Sequence, residues 1–169
     1  MTDVIVIPAK VDRIRLADRP ALERMFTACS LTTVHGRFFA PLRAFPSGYL
    51  AGALAGPPAV HDATVLRYGD GAHIAGLASF VARADVAVDT VELGVLVRDA
   101  WQGRGFGTAL VQLLVGRAAE RGVERIIASV LPERAGLLSA LSRRLEVVDV
   151  MAEDDCLTGV YRIDRGGSA

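Results

Sequence analysis

The sequence predicts a mixed α/β domain of the α+β kind, with about seven strands in a mostly antiparallel sheet and four helices. Three observations predict it. Residues 61–81 alternate apolar and polar around a glycine turn, as a β-hairpin does. A β-branched run at 88–97 passes through a glycine-rich loop into a segment with helical spacing. Two more strand-like runs close the chain. The 169 residues suit one domain, placed at 1–164. Residues 165–169, Arg-Gly-Gly-Ser-Ala, offer nothing to bury and read as a disordered tail.

Taken in order, a first strand is expected around Val11 to Leu16. Asp18 is the expected N-cap of a helix with Pro20 in its first turn, Leu22, Met25 and Phe26 inward, and an end near Ser30. Leu31 to Pro46 mixes Thr, His, Gly and Arg with two Phe and reads as a loop or broken helix. Ser47 to Leu54 is a short helix that Gly56-Pro57-Pro58 stops. His61 to Tyr68 and His73 to Val81 form the hairpin across Gly69-Asp70-Gly71. Val88 to Val97 is the next strand. A helix from Thr108 to Arg121 carries Leu110, Leu113, Leu114 and Ala118 inward and ends at Gly122. Arg125 to Leu131 is a buried strand, Glu133 to Arg144 a helix with Leu137, Leu138 and Leu141 inward. The last strands, 145–151 and 157–163, flank Glu153-Asp154-Asp155. One strand–helix–strand crossover in the middle makes the sheet mixed.

Composition narrows the function classes. Charged residues are 22% of the chain and balance to zero, so no sustained basic face favours nucleic acid or an anionic membrane. No window approaches 18 apolar residues without charge. The short run Val4 to Ile7 is interrupted by Pro8 and has no basic leader, so a cytoplasmic location is expected. Cys29 and Cys156 lie far apart, and His35, His61 and His73 have no ligand spacing. Neither a disulfide framework nor a metal is expected.

The loop Gln102-Gly103-Arg104-Gly105-Phe106-Gly107, followed by Thr108, has the makings of a phosphate site. A helix N-terminus leaves N–H groups unpaired and carries partial positive charge, and glycines let the backbone approach an anion. Arg104 adds a cation. A Rossmann fingerprint fails, because counting six from Gly105 reaches Leu110 and from Gly103 reaches Thr108. A P-loop fails because Lys10 is the only lysine. The plain alternative is a tight strand–helix turn that holds no ligand.

What does match is Gln-x-x-Gly-x-Gly within the run Val91 to Gly107, and here the sequence resembles the Gcn5-related N-acetyltransferase (GNAT) superfamily. The order of elements fits that fold over nearly the whole chain. The resemblance implies a sheet splayed between strands four and five, and acetyl-CoA as cosubstrate without a metal. It implies that backbone N–H groups of Gln102, Gly103, Arg104, Gly105, Phe106, Gly107 and Thr108 bind the pyrophosphate. It also implies that the edge from Val95 to Val97 pairs with the pantetheine arm while the thioester sits in the gap.

An alkylammonium must lose a proton before it can attack a thioester. Glu92 is the one charged residue from Val91 to Val97, and burial there would raise its pKa and suit it to serve as base. Ten residues before Gln102, it looks like the general base of the protein-lysine acetyltransferase branch. The alternative is an outward-facing glutamate on a half-exposed strand. A backbone N–H near Val95 or Val97 is the candidate oxyanion donor.

Some positions depart from the family. Many relatives carry an asparagine after the strand ending at Leu131 and a tyrosine, acting as acid, on the next helix. This chain has no asparagine, Arg134 stands at that place, and 133–144 holds no tyrosine. Leu131-Pro132-Glu133 still resembles the start of that helix in the protein-acetylating branch. Ser139 is a substitute acid or a plain helix-face serine. Ser30 to Phe39, ending Arg37-Phe38-Phe39, is similar to the loop before the acceptor groove in bacterial protein-lysine acetyltransferases. Arg143 and Arg144 either reach the 3′-phosphate of CoA or complement a helix end. Glu153-Asp154-Asp155 is a solvated turn or, if it borders the groove, an attractor of a cationic amine. Trp101 reads as a packing residue.

Together these readings give an acetyltransferase acting on a primary amine of a protein lysine or a small molecule, with a homodimer through the last strands as an option. A CoA-binding regulatory module with little or no turnover is the alternative, and a dinucleotide oxidoreductase a distant third.

Overall fold

Seven strands join into one sheet in the order β1-β2-β3-β4-β5-β7-β6. They are β1 (Ala9–Arg13), β2 (His61–Tyr68), β3 (His73–Ala82), β4 (Thr90–Val97), β5 (Arg125–Val130), β6 (Glu146–Ala152) and β7 (Leu157–Arg162). The computed structural model describes residues 8–164. The run Val4 to Ile7 and the tail 165–169 lie outside the described residues. Every pairing is antiparallel except β4 with β5, which the crossover makes parallel. Gly69 and Gly71, at φ 66° and 89°, turn the β2–β3 hairpin.

Among the described residues five α-helices, not four, cover the sheet: α1 (Arg19–Ala28), α2 (Leu31–Phe38), α3 (Ser47–Ala55), α4 (Phe106–Glu120) and α5 (Gly136–Ser142). The extra one is α2, where the sequence suggests a loop or broken helix. Thr32, Thr33 and Gly36 are weak helix formers, but Ser30 caps the segment by accepting a hydrogen bond from the Thr33 N–H at 3.2 Å. The helix expected from Glu133 to Arg144 divides into a 3-10 turn at Pro132–Arg134 and α5.

The expected N-cap Asp18 does not cap α1. It is buried and receives two guanidinium hydrogen bonds from Arg67, at 2.6 and 2.8 Å. A carboxylate that finds a buried cation gains more there than from one backbone N–H.

Each face of the sheet has its own core. Leu22, Met25, Phe26, Val34 and Leu50 of α1–α3 pack on Val65, Leu77 and Leu96. Leu110, Leu114, Leu138 and Leu141 of α4 and α5 pack on Phe80, Leu93, Ile126 and Tyr161 on the other. Each such side chain contributes about 1.5–3 kcal/mol by leaving water. Among the described residues no helix is long and apolar enough to cross a membrane.

Candidate functional site

β4 and β5 are paired only from Thr90↔Arg125 to Leu93↔Ala128. Beyond that point β4 continues to Val97 against β3 alone, while β5 continues to Val130 against β7 alone. The sheet therefore parts in the middle, and the β4 backbone from Gly94 onward presents an open edge.

Strand alternation decides which groups face that gap. Arg98 donates its N–H to Ala75 C=O on the β3 side at 2.8 Å. Successive residues point opposite ways, so Val97 and Val95 direct their N–H and C=O groups into the gap. The Val97 C=O accepts the Gln102 side-chain amide at 2.9 Å. Among the described residues the Val95 N–H and C=O and the Val97 N–H have no strand partner on that side. Both residues predicted to pair with pantetheine thus lie on the parted edge.

The glycine loop follows at once. Gly103 and Gly105 adopt left-handed φ of 72° and 83°, with Arg104 between them. No heavy atom lies within 4 Å of a Cβ placed on either glycine, so backbone conformation, not space, demands glycine there. The first backbone hydrogen bond of α4 runs from Ala109 N–H to Gly105 C=O at 3.1 Å. The N–H groups of Phe106, Gly107 and Thr108 before it find no carbonyl, and they meet the positive end of the helix. Such a nest suits an anion of several oxygens. Trp101, buried beneath the loop, touches the Phe106 ring at 5.6 Å and lies under the Arg104 guanidinium at 5.7 Å. It packs, as its sequence context suggests.

Gln102 differs from its neighbours. Its N–H donates to Asp99 C=O at 3.2 Å, and its side chain also donates to Thr33 Oγ1 at 3.0 Å. Asp99 accepts from the Ser30 N–H, the Ser30 hydroxyl and the Thr33 hydroxyl at 2.9, 2.6 and 3.0 Å. Burial pushes the Asp99 carboxyl up, but these donors outweigh it and hold it below its ordinary range. The loop is thereby tied to the start of α2. Sequence reasoning missed this knot; the signal was Ser30 with Thr33 three residues on, an N-cap signature.

Glu92 lies on the α1–α3 face of β4, with Gly94 and Leu96. It is not buried as expected: its side chain is 43% exposed, and Arg83 donates to its Oε2 at 2.7 Å. Arg83 also grips Asp85 through two hydrogen bonds of 2.8 Å. Those two carboxylates raise the Arg83 guanidinium above its ordinary value, Asp85 first and Glu92 second. The Glu92 carboxylate meets water and a partner from just after β3, which the sequence spacing did not reveal.

Other residues complete the walls. On β5, Ser129 shares a hydrogen bond of 2.9 Å with Thr158, beside Cys156. Ser139 lies on α5, exposed. A cavity of about 540 Å³ joins His35 and Phe39 of α2 to Leu131, Glu133, Asp154 and Asp155. The acidic turn therefore borders the mouth where β5 ends. Phe39 caps α2 with φ 57°, uncommon for a bulky residue. A narrower groove of about 180 Å³ runs between α4 and α5, lined by Thr108, Gln112, Leu141 and Arg144. Burial, then the Asp99 charge, pushes the Cys29 thiol up to about 11, so it is no nucleophile at neutral pH. Among the described residues no three His, Cys, Asp or Glu side chains are grouped to hold a metal.

The family model described as Acetyltransferase (GNAT) family matches residues 23–141. No curated protein matches the chain in sequence. Among solved structures, the GNAT domain of S. lividans PAT superposes with a TM-score of 0.77 at 23% identity, covering 91% of this chain and 90% of that one. For yncA from Salmonella typhimurium, solved with its cofactor acetyl-CoA, the TM-score is 0.73 at 21% identity, covering 96% and 98%. A GCN5-related N-acetyltransferase from Kribbella flavida gives 0.68 at 20% identity, covering 91% and 96%. At these identities the likeness is one of fold.

Proposed function

Because the chain belongs to the GNAT acetyltransferase family, we propose that it transfers an acetyl group from acetyl-CoA to the primary amine of a protein lysine or a small molecule. The observation that carries this is the convergence of two free rows of backbone groups, the β4 edge at Val95 and Val97 and the N–H nest from Gly103 to Thr108, on one parted sheet.

The nest fits a pyrophosphate, because two left-handed glycines and a helix N-terminus turn several donors toward one concavity. Acetyl-CoA supplies the activated acyl group when bound; the remaining work falls to residues of this chain. Gly103, Arg104, Gly105, Phe106, Gly107 and Thr108 hold the phosphates, with Gln102 fixing the loop. Val95 and Val97 pair with the pantetheine amides as an added strand would. Arg144, at the end of the α4–α5 groove, reaches the 3′-phosphate. The Val95 N–H is the donor aimed at the thioester oxygen, worth a few kcal/mol to the barrier.

Glu92, on the acceptor face of the same strand, takes the proton of the incoming ammonium through water. The amine nitrogen bonds to the acyl carbon, the carbon–sulfur bond breaks, and the sulfur leaves as thiolate without an enzymic acid, since a thiol pKa of about 8.5 makes it a tolerable leaving group; the second proton of the attacking nitrogen passes through water to that thiolate. Asp154 and Asp155 at the mouth favour a cationic acceptor. The exposed Val147, Val148, Val150 and Met151 of the edge strand β6 support a homodimer through that strand. We place the protein in the cytoplasm, where Cys29 and Cys156, free in the structure, stay reduced.

A second reading is a CoA-binding module without turnover. Two observations favour it: Arg83 occupies the Glu92 carboxylate, and Arg134 stands where relatives place an asparagine. The test runs in two stages. Acetyl-CoA raises the melting temperature while NAD and ATP do not, because a ligand that binds only the native state stabilises it. Release of free thiol over a panel of amines then separates the enzyme from the module.

A further inference from the structure

Two guanidiniums lie beside the parted sheet. Arg37 of α2 lies flat on β4 at Gly94, so closely that a Cβ added to Gly94 would overlap its guanidinium. Gly94 is the first β4 residue past the paired segment. The same guanidinium sits 4.6 Å from the Phe38 ring centre and 5.0 Å from that of Tyr49, and Tyr49 in turn is held by a hydrogen bond to Ser79. Arg134, just past the end of β5, reaches the opposite way onto α2. A Cβ added to Gly36 would lie 2.7 Å from its Nε. Arg37, on α2, and Arg134, just past β5, thus lie at adjacent positions of the same helix, one on Gly94 and the other on Gly36.

Among the described residues neither guanidinium donates a hydrogen bond and neither lies within ion-pair distance of a carboxylate. The contrast is with Arg67, Arg83 and Arg117, each of which grips at least one carboxylate. Both cations are half-buried. Aromatic faces and glycine backbone hold Arg37 in place but take none of its N–H groups. A fixed, partly dehydrated guanidinium with free donors is built to receive a planar anion, and a carboxylate matches its fork in two parallel hydrogen bonds.

We propose that Arg37 and Arg134 bind a carboxylate of the acceptor, so that the amine to be acetylated belongs to a molecule carrying a carboxylate close to it. This rests on the acyltransferase reading and narrows its substrate class. The acidic rim at Asp154 and Asp155 faces solvent, where it favours the approach of an ammonium. The Arg37 guanidinium lies on Gly94, on the face of β4 that also carries Glu92, and the Arg134 side chain lies against the adjacent Gly36 of α2. An acceptor with both charges is drawn in by its amine and oriented by its carboxylate, leaving the amine over the gap. The carboxylate comes either from a free amino acid or from an acidic residue next to a lysine in a peptide.

The test measures thiol release at saturating acetyl-CoA in two arms. One compares L-amino acids with the amines that remain when their carboxyl group is removed. The other compares lysyl peptides with Glu or Gln beside the lysine. In at least one arm the carboxylate-bearing member is expected to have a kcat/KM about 10- to 100-fold higher, the effect of a charge-assisted hydrogen-bonded pair. Arg37→Gln and Arg134→Gln are expected to collapse that preference through the acceptor KM, with the acetyl-CoA KM unmoved and Arg37→Lys giving partial rescue. Gly94→Ala, which expels the Arg37 guanidinium without removing it, is expected to do the same. Equal rates within every pair, a preference for the uncharged member, or no turnover of any carboxylate-bearing amine by a protein that binds acetyl-CoA overturns the proposal. Absence of acetyl-CoA binding overturns the acyltransferase reading itself, and this proposal with it.

Discussion

Gln102 donates its side-chain amide to Thr33 Oγ1 at 3.0 Å and so ties the glycine loop to the first turn of α2. The same nitrogen bonds the Val97 C=O at 2.9 Å, at the end of the parted edge. One side chain therefore fixes the loop relative to both the strand that precedes it and the first turn of α2.

Gln102→Leu keeps the volume and removes both bonds, at about 1 kcal/mol each. The KM for acetyl-CoA is expected to rise roughly tenfold, by about 1.4 kcal/mol, in steady-state assays, while the melting temperature falls by several degrees. An unchanged KM would mean that the loop holds its shape without this tie.

Glu92→Gln is expected to fold normally, bind acetyl-CoA as tightly as the parent and lose about 100-fold or more in kcat at neutral pH, the usual contribution of a general base. Arg83→Met is expected to lower kcat several-fold with the acetyl-CoA affinity unchanged, because Arg83 positions the Glu92 carboxylate at 2.7 Å. Full turnover by Glu92→Gln removes that residue from the mechanism.

Asp62 is 4% exposed and accepts three guanidinium hydrogen bonds, two from Arg117 and one from Arg121. Burial pushes its carboxyl up, but those two arginines outweigh it and hold it below its ordinary range. A depressed folded-state pKa means the contribution is complete above about pH 4 and is lost as the pH falls further. Asp62→Asn leaves two cations facing a neutral group, and chemical denaturation at pH 7 should show a loss of about 3 kcal/mol. A loss under 1 kcal/mol would contradict this account.

His61 is buried, and its Nε2 has no hydrogen-bond partner. Burial first, and the nearby Arg37 charge second, lower its pKa. The unfolded chain then takes up a proton below about pH 6.5 that the folded chain resists, so stability falls as the pH drops through that region. The decline is expected to be shallower in Arg37→Gln and absent in His61→Phe. Denaturation midpoints between pH 7 and 5 check it; the same decline in all three proteins would exclude His61 as its source.

What was legible in the sequence follows the range of the interactions. The β2–β3 hairpin, β4, the glycine loop and α4 depend on neighbours in sequence, and their periodicity and glycines announced them within a residue or two. The α2 helix was masked because Gly36 and the paired threonines argue against a helix, while its decisive cap at Ser30 is reinforced by Asp99, 69 residues away. Asp18 looked like a cap because spacing alone cannot show Arg67, 49 residues on. At the site, the glycines of the loop could be read from the sequence, and the parted edge at Val95 and Val97 was expected only from the family resemblance. The setting of Glu92 could not, since Arg83 reaches it from the start of the β3–β4 connection. Nor could the seat of Arg37 on Gly94, which exists only once α2 crosses β4.

Titration calorimetry of acetyl-CoA against the parent protein and Gly105→Val tests the central claim most directly. Gly105 has φ 83° and open space around it, so a valine there distorts the backbone nest without a clash. The expected result is saturable binding by the parent, at least tenfold weaker in the variant at equal folded fraction, a cost of about 1.4 kcal/mol or more. No heat with the parent, or equal affinity in both proteins, would contradict the assignment of residues 103–108 as the phosphate-binding nest.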